Sequence, residues 1–306
     1  MRFALTAILL LAACGPTARD NPGGDDAPGP DSMVEPPPPP PGDGGSQVGC
    51  SGIDVLFVID NSGSMQQEQD NLVANFPQFV GVLEASGLDY RIGVTTTGRD
   101  YEWTMASPIG GGLPMDQDGG DNGTLLKTGA MTKRWIEKTD PDVSGTFSSL
   151  ANVGVGGPSR EMPLAAIRDA FEDRIADGTN VGFHRPEALL AVVILTDEDD
   201  CSHEQPVSLG FGQDLCSGGS SESVGNYIQF LDQFTGNHTR WATAVIAGPN
   251  DCESSFGEAN EAERLEDFVN QVGTNGRFSS ICEGDLSIGL AEALELFDSA
   301  CGGVIL

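Results

Sequence analysis

Ile53-Asp54-Val55-Leu56-Phe57-Val58-Ile59-Asp60-Asn61-Ser62-Gly63-Ser64-Met65 decides the fold. Apart from Asp54, residues 53–59 are all large and apolar. Such a run cannot turn one face to solvent, so it predicts a short strand buried on both faces. The run stops at Asp60 and gives way to a polar turn. Asp60, Ser62 and Ser64 alternate along that turn, so their oxygens can point the same way, and Gly63 lets the backbone bend tightly between them. Carboxylates and hydroxyls are hard oxygen donors, which suits Mg²⁺ or Mn²⁺, or Ca²⁺ at higher coordination. The competing reading is that Asp60 and Ser62 only cap the helix that follows.

Downstream the pattern alternates between helix and strand. Residues 66–85 carry Leu72, Phe76, Phe79 and Leu83 at helical spacing and end before Gly87. Residues 90–97 read as a strand. Residues 98–160 are Gly-rich and irregular, with an edge hairpin and a short helix near 147–151. Residues 161–176 form a helix with Leu164, Ile167, Phe171 and Ile175 on one stripe, followed by Gly178. Residues 188–195 are the most apolar strand of the chain and run into Thr196-Asp197. A Gly-rich loop (201–221), a helix (223–234), a strand (241–247), a helix (259–272), a short strand (277–281) and a last helix (285–299, capped by Asp285) complete the chain. The fold class this predicts is α/β: a Rossmann-like, doubly wound, mainly parallel sheet flanked by helices. Ligands bind such sheets outside the carboxyl ends of the strands, where strand order reverses. Asp60 and Asp197 both fall at such ends.

Upstream, residues 1–13 read as an export leader: Met1 and Arg2 precede an apolar stretch too short to span a bilayer. It ends in Leu11-Ala12-Ala13-Cys14-Gly15, which resembles the bacterial lipobox, with Cys14 as the lipidated residue. Gly15 suits passage to the outer membrane of a Gram-negative cell, with lipid as the only anchor. Residues 14–49 are a Pro/Gly-rich linker, and 36–41 are all proline. It lacks the apolar surface to fold, and its reach is roughly 30 Å if flexible and at most about 100 Å if extended. The folded domain is then 50–306.

The formal net charge of −31 excludes a nucleic-acid partner. It favours solubility, divalent cations and basic partners. With Cys14 lipidated, Cys50, Cys201, Cys216, Cys252, Cys282 and Cys301 remain, which on an exported chain suggests three disulfides. There is no Cys-x-x-Cys, and the only histidines are His184, His203 and His238, so a zinc site is not expected.

The stretch 53–65 resembles the opening of von Willebrand factor type A domains, whose metal-ion-dependent adhesion motif is Asp-x-Ser-x-Ser. Thr196-Asp197 resembles the family's later Thr-Asp. The resemblance covers roughly residues 50–301 and implies a central parallel sheet between helices. It also implies a metal held by Asp60, Ser62, Ser64, Asp197 and a loop threonine, with an open sixth position. That position would take an acidic side chain of an extracytoplasmic protein partner. The chain departs from the pattern at the threonine, where it reads Gly156-Gly157-Pro158-Ser159-Arg160-Glu161. Ser159 could supply the hydroxyl, but Glu161 falls nearer the threonine position. A glutamate there would tighten cation binding and weaken the metal's pull on an outside carboxylate. The termini of such sheets lie close together, so Cys50 is expected to pair with Cys301. Cys201–Cys216 would staple the loop beside the metal, and Cys252–Cys282 would tie the loop after residue 247 to the last strand.

Other chemistry is weaker. Asp197-Glu198-Asp199-Asp200 either extends the metal site, adds a Ca²⁺ site or is a solvated acidic loop. Asp116, Asp118 and Asp121 resemble a calcium loop without EF-hand spacing. An apolar strand ending in aspartate also occurs in phosphatases with an Asp-x-Asp nucleophile motif. Here Ser62 replaces the second acid, and none of Lys127, Lys133 and Lys138 is convincingly placed after a strand. Gly157-Pro158-Ser159-Arg160-Glu161 fails as a serine-hydrolase elbow at its last position. His203 is expected at the surface. The sequence therefore favours a binding module over an enzyme. The alternative is a structural envelope lipoprotein with a non-exchangeable metal.

Overall fold

Gly52–Ile59 forms β1, with every residue buried, in the computed structural model of this chain. The structure describes residues 49–129, 131–216, 221–255, 257–302 and 305. The leader, Cys14 and the linker through residue 48 lie outside them.

The chain continues as α1 (Gln66–Ser86), β2 (Asp89–Thr96), β3 (Tyr101–Ala106), β4 (Gly112–Gln117), β5 (Ile136–Glu137), α2 (Val143–Ala151), α3 (Pro163–Phe171) and α4 (Asp173–Ala176). Then come β6 (Leu189–Leu195), β7 (Ser208–Leu209), α5 (Val224–Thr235), β8 (Trp241–Ala247), β9 (Cys252–Glu253), β10 (Glu258–Ala259), α6 (Glu263–Val272), β11 (Gly276–Ser280) and α7 (Leu286–Ala300). The main sheet has the order β11-β8-β6-β1-β2-β5 and is parallel except for β5. This is the mixed α/β architecture, mainly parallel and flanked by helices, that the alternating pattern predicts.

The uninterrupted apolar run of β1 follows from its central place. Val55, Phe57 and Ile59 enter the layer beneath α1, α2 and α7, with Phe76, Phe79, Phe147 and Phe297. Leu56 and Val58 enter the opposite layer, with Leu164, Ile167, Tyr227 and Phe268 of α3, α5 and α6. Two helical layers thus demand apolar side chains on both faces of one strand. Among the described residues no helix is long and apolar enough to cross a membrane.

The helix expected over 161–176 is two, α3 and α4, and two further elements differ from the sequence reading. The hairpin β3–β4 does not edge the main sheet. It pairs with β7 in a separate three-stranded sheet, where the Thr104 N–H donates to Val207 O at 2.9 Å. Residues 259–262 stay out of α6 because their amides are committed elsewhere. Asn260 N–H donates to Asp197 O at 2.9 Å, and Ala262 N–H to Gly248 O at 2.8 Å. Residues on both sides of 256 pair instead as the short hairpin β9–β10.

The three disulfides join Cys50 to Cys301, Cys201 to Cys216 and Cys252 to Cys282. The first joins the start of β1 to the end of α7, where Cys50 N–H also donates to Cys301 O. Each closed loop contributes roughly 2–4 kcal/mol.

Asp54, the one acid within β1, is fully buried at the amino end of the sheet. Its Oδ1 accepts from Arg185 Nη2 at 2.6 Å and Nε at 2.9 Å, and its Oδ2 accepts from the Arg185 amide at 2.6 Å. Arg185 also pairs with Asp89 at the start of β2. Removing one partner of a buried pair strands the other. Arg185→Ala, which leaves the fully buried Asp54 carboxylate without its arginine, is therefore expected to lower the unfolding free energy by about 3–5 kcal/mol in urea denaturation. A loss below about 1 kcal/mol, typical of an exposed pair, would contradict this account.

Candidate metal centre

From β1 the chain passes to β2 on one side and later to β6 on the other, so strand order reverses between β1 and β6. That crevice is where an open α/β sheet takes its ligand. Register puts Ile59 opposite Leu195, and Asp60 N–H donates to Leu195 O at 2.9 Å. Asp60 and Thr196 therefore emerge side by side at the carboxyl edge, and Asp197 follows.

Asp60 is fully buried. Its Oδ1 accepts from the Ser62 amide at 2.7 Å, and its Oδ2 from the Thr196 hydroxyl at 2.6 Å. The Ser62 and Ser64 hydroxyls stand 3.3 Å apart, so alternation along the turn does bring them to one side. Ser64 is exposed at the mouth of the crevice, whereas Ser62 and Asp197 are buried. Asp197 Oδ1 has no hydrogen-bond partner.

Glu161, not Ser159, reaches this centre from the loop before α3. Ser159 is exposed, while Glu161 is 1% exposed. Thr97, just beyond β2, donates its hydroxyl to Glu161 Oε2. Glu161 Oε1 has no partner. The loop is seated on the Asp60 turn, with Gly157 N–H donating to Asn61 O at 2.8 Å. A Cβ at Gly157 would lie 2.2 Å from Asn61 Oδ1, so only glycine permits this approach.

Two buried polar residues of the first turns of α1 carry no signal in the apolar periodicity. Gln69, fully buried, donates from Nε2 to Asp60 O at 2.8 Å and to Gly154 O at 2.9 Å. Its Oε1 accepts from Gly154 N–H at 3.2 Å, so one side chain clamps the motif turn to the loop that carries Glu161. Glu68 is 4% exposed, and its Oε2 has no partner.

Two acids of the run after β6, Asp199 and Asp200, are held by helix amides and an arginine rather than left to solvent. Asp199 accepts from the amides of Arg264 at 2.9 Å and Leu265 at 3.1 Å, at the start of α6. Asp200 accepts from Leu164 N–H of α3 at 3.0 Å and pairs with Arg264 at 2.7 Å. Both acids satisfy helix N-termini, where amides lack intrahelical partners. Asp116, Asp118 and Asp121 do not gather into a calcium loop. Asp116 and Asp118 are exposed, and Asp121 accepts from the Thr96 hydroxyl at 2.8 Å. His203 is buried rather than at the surface, with Nε2 donating to Leu215 O at 3.1 Å and its ring stacked on Tyr101.

No three His, Cys, Asp or Glu side chains among the described residues stand at mutual metal-ligating distance. A cation at Asp60 would draw on serine hydroxyls as well, and it would pull together acids that repel one another without it. The partnerless oxygens of Asp197 and Glu161, beside the paired hydroxyls, make this donor set a fit for a hard divalent cation.

No protein-family model matches this chain, and no curated protein matches it. Solved structures similar to it include proximal thread matrix protein 1 of the mussel byssus, at 10% identity and TM-score 0.42, covering 83% of this chain and 49% of that one. The pilus adhesin SpaC of Lactobacillus rhamnosus GG is similar at 11% identity and TM-score 0.42, covering 82% of this chain and 30% of that one. This chain thus spans about half the length of the first and under a third of the second.

Among the described residues no Lys, Arg or His is ion-paired with Asp60, Glu68, Glu161 or Asp197. Burial pushes the Asp60 carboxyl up to about 7, with the charge of Asp197 adding to the effect. Burial and then the charge of Asp60 push Glu161 up to about 9. Burial, with a lesser contribution from Asp197, pushes Glu68 up to about 7. Asp197 is raised by burial and eased by a hydrogen bond from Ser64. In each case the folded protein keeps the proton to higher pH than the unfolded chain does. Stability is therefore greatest near the unfolded carboxylate range and falls as pH rises toward about 9. Metal-stripped protein should melt at a higher temperature at about pH 5.5 than at about pH 8.5, and Glu161→Gln should flatten the slope. A melting temperature that rises across this interval would contradict the assignment.

Proposed function

We propose that this chain is a von Willebrand factor type A-like, divalent-cation-binding module, exported as a lipoprotein, whose cation edge engages another extracytoplasmic protein. The observation that carries this reading is the pair of buried, partnerless carboxylate oxygens of Asp197 and Glu161 beside Asp60 and the Ser62 and Ser64 hydroxyls. Asp60, Ser62, Ser64, Asp197 and Glu161 would hold Mg²⁺, Mn²⁺ or Ca²⁺. The cation would neutralise the acids and supply a positive centre at the crevice mouth, where exposed Ser64 leaves it open to a partner's acidic side chain.

The leader, the lipobox ending at Cys14 and the linker support a domain held away from a membrane by lipid alone. The positions of the lysines support binding rather than phosphoryl transfer. Lys133 pairs with Glu137, Lys138 donates to Leu88 O and Lys127 to Thr132 O, so all three are engaged around β5 and its approach. Glu161 supports a second reading. Its buried carboxylate stands in the loop where the resemblance calls for a neutral threonine, which favours a cation held for stability rather than for exchange.

The wild-type melting temperature is expected to rise on adding Mg²⁺ or Ca²⁺, by about 2.7 kcal/mol of stabilisation at a hundredfold excess over Kd. Asp60→Ala should abolish that rise, and an unchanged wild-type melting temperature would remove the cation. A pull-down from envelope extract with and without chelator separates the two readings. A chelator-sensitive partner supports adhesion, and its absence beside an intact melting shift supports the structural role.

A further inference from the structure

We infer that Glu68 is a further acidic group of this centre, which makes it a four-carboxylate site selective for Ca²⁺ over Mg²⁺. The inference rests on the cation reading above and extends it to a residue outside the Asp-x-Ser-x-Ser motif.

Glu68 sits in the first turn of α1, four residues beyond Ser64. A carboxylate on an ordinary amphipathic helix at this position would face solvent, yet Glu68 is 4% exposed and its Oε2 has no donor. The neighbouring Gln69 is equally buried but fully used, with three hydrogen bonds to backbone. Two adjacent helix residues are thus turned inward at the motif turn, one fully used and one with a free carboxylate oxygen. A buried carboxylate without a counter-charge is costly to ionise, and a cation offsets that cost directly.

Two contacts of one segment bring Glu68 to the crevice. On its inner side that segment meets Asp197, whose carbonyl oxygen accepts from Asn260 N–H at 2.9 Å. On its outer side, Glu68 Oε1 lies 2.9 Å from where a Cβ on Gly257 would stand, so the Cys252–Cys282-bolted segment covers it closely. That cover excludes solvent from one carboxylate oxygen while the other remains free. Glu161 comes from the β2 side and Glu68 from the side of the β9–β10 hairpin. Asp60 and Asp197 lie between them, on the two central strands.

A cation among Asp60, Asp197, Glu161 and Glu68 meets more anionic oxygen than Mg²⁺, which keeps its waters, ordinarily accepts. Larger, less directional Ca²⁺ accommodates many carboxylates, and ligand charge sets its affinity. A centre this anionic also holds an outside carboxylate less firmly.

The test is calorimetric titration of CaCl₂ and MgCl₂ into the full-length protein in detergent, wild type and Glu68→Gln, with melting of the metal-stripped forms. The wild type should bind Ca²⁺ more tightly than Mg²⁺. Glu68→Gln should weaken Ca²⁺ binding by about tenfold or more, narrow the preference and raise the metal-free melting temperature. The rise separates a cation ligand from a structural carboxylate, whose loss lowers stability. Calcium affinity within twofold of wild type, or a lower metal-free melting temperature, overturns the role of Glu68. Absence of Ca²⁺ and Mg²⁺ binding to the wild type overturns the cation reading itself.

Discussion

Four carboxylates, Asp60, Glu68, Glu161 and Asp197, are buried at and around the carboxyl edge of a hydrophobic sheet, each at most 4% exposed and none ion-paired among the described residues. Desolvating an acid without a counter-charge is among the costliest arrangements in a folded protein. Much of the surrounding structure holds them there. β1 and β6, buried on both faces, fix Asp60 and Asp197 at adjacent strand ends. Gln69 ties the motif turn to the loop bearing Glu161, and Thr97 holds Glu161 from the β2 side.

The basic residues are deployed elsewhere. Arg185 neutralises Asp54 and Asp89 at the opposite, amino end of the sheet, Arg264 neutralises Asp200, and Arg99 pairs with Asp169. The buried acids Asp54, Asp169 and Asp200 are therefore explained by arginine. The four at the crevice are not, and the proposed cation would supply the charge they lack. The disulfides reinforce its surroundings: Cys201–Cys216 fastens the loop after the acidic run, and Cys252–Cys282 fastens the segment over Glu68.

The sheet, most helices and the disulfide pairing were legible in the sequence because each rests on a local or generic rule. A strand between two helical layers must be apolar throughout, and the ends of this sheet meet. Asp60, Ser62 and Ser64 were legible because their alternation lies within one turn. Glu68 and Gln69 were not, since they lie in the polar stretch 66–71, where apolar periodicity says nothing about which polar side chain turns inward. Asp199 and Asp200 looked like more of the same acidic loop. Only the tertiary structure brings the amino ends of α6 and α3 to them. The loop 259–262 failed as helix because Asp197 and Gly248 take its amide hydrogens, a competition between distant segments that no window of sequence contains.

The central claim about the molecule is a cation at one place. Anomalous diffraction from crystals grown with Mn²⁺ tests this most directly, because the scattering identifies the ion and its neighbours together. A peak is expected among Asp60, Ser62, Ser64 and Asp197, with Glu161 turned toward it. A crevice without a peak while Mn²⁺ occupies the surface acids Asp116 and Asp118 would contradict it.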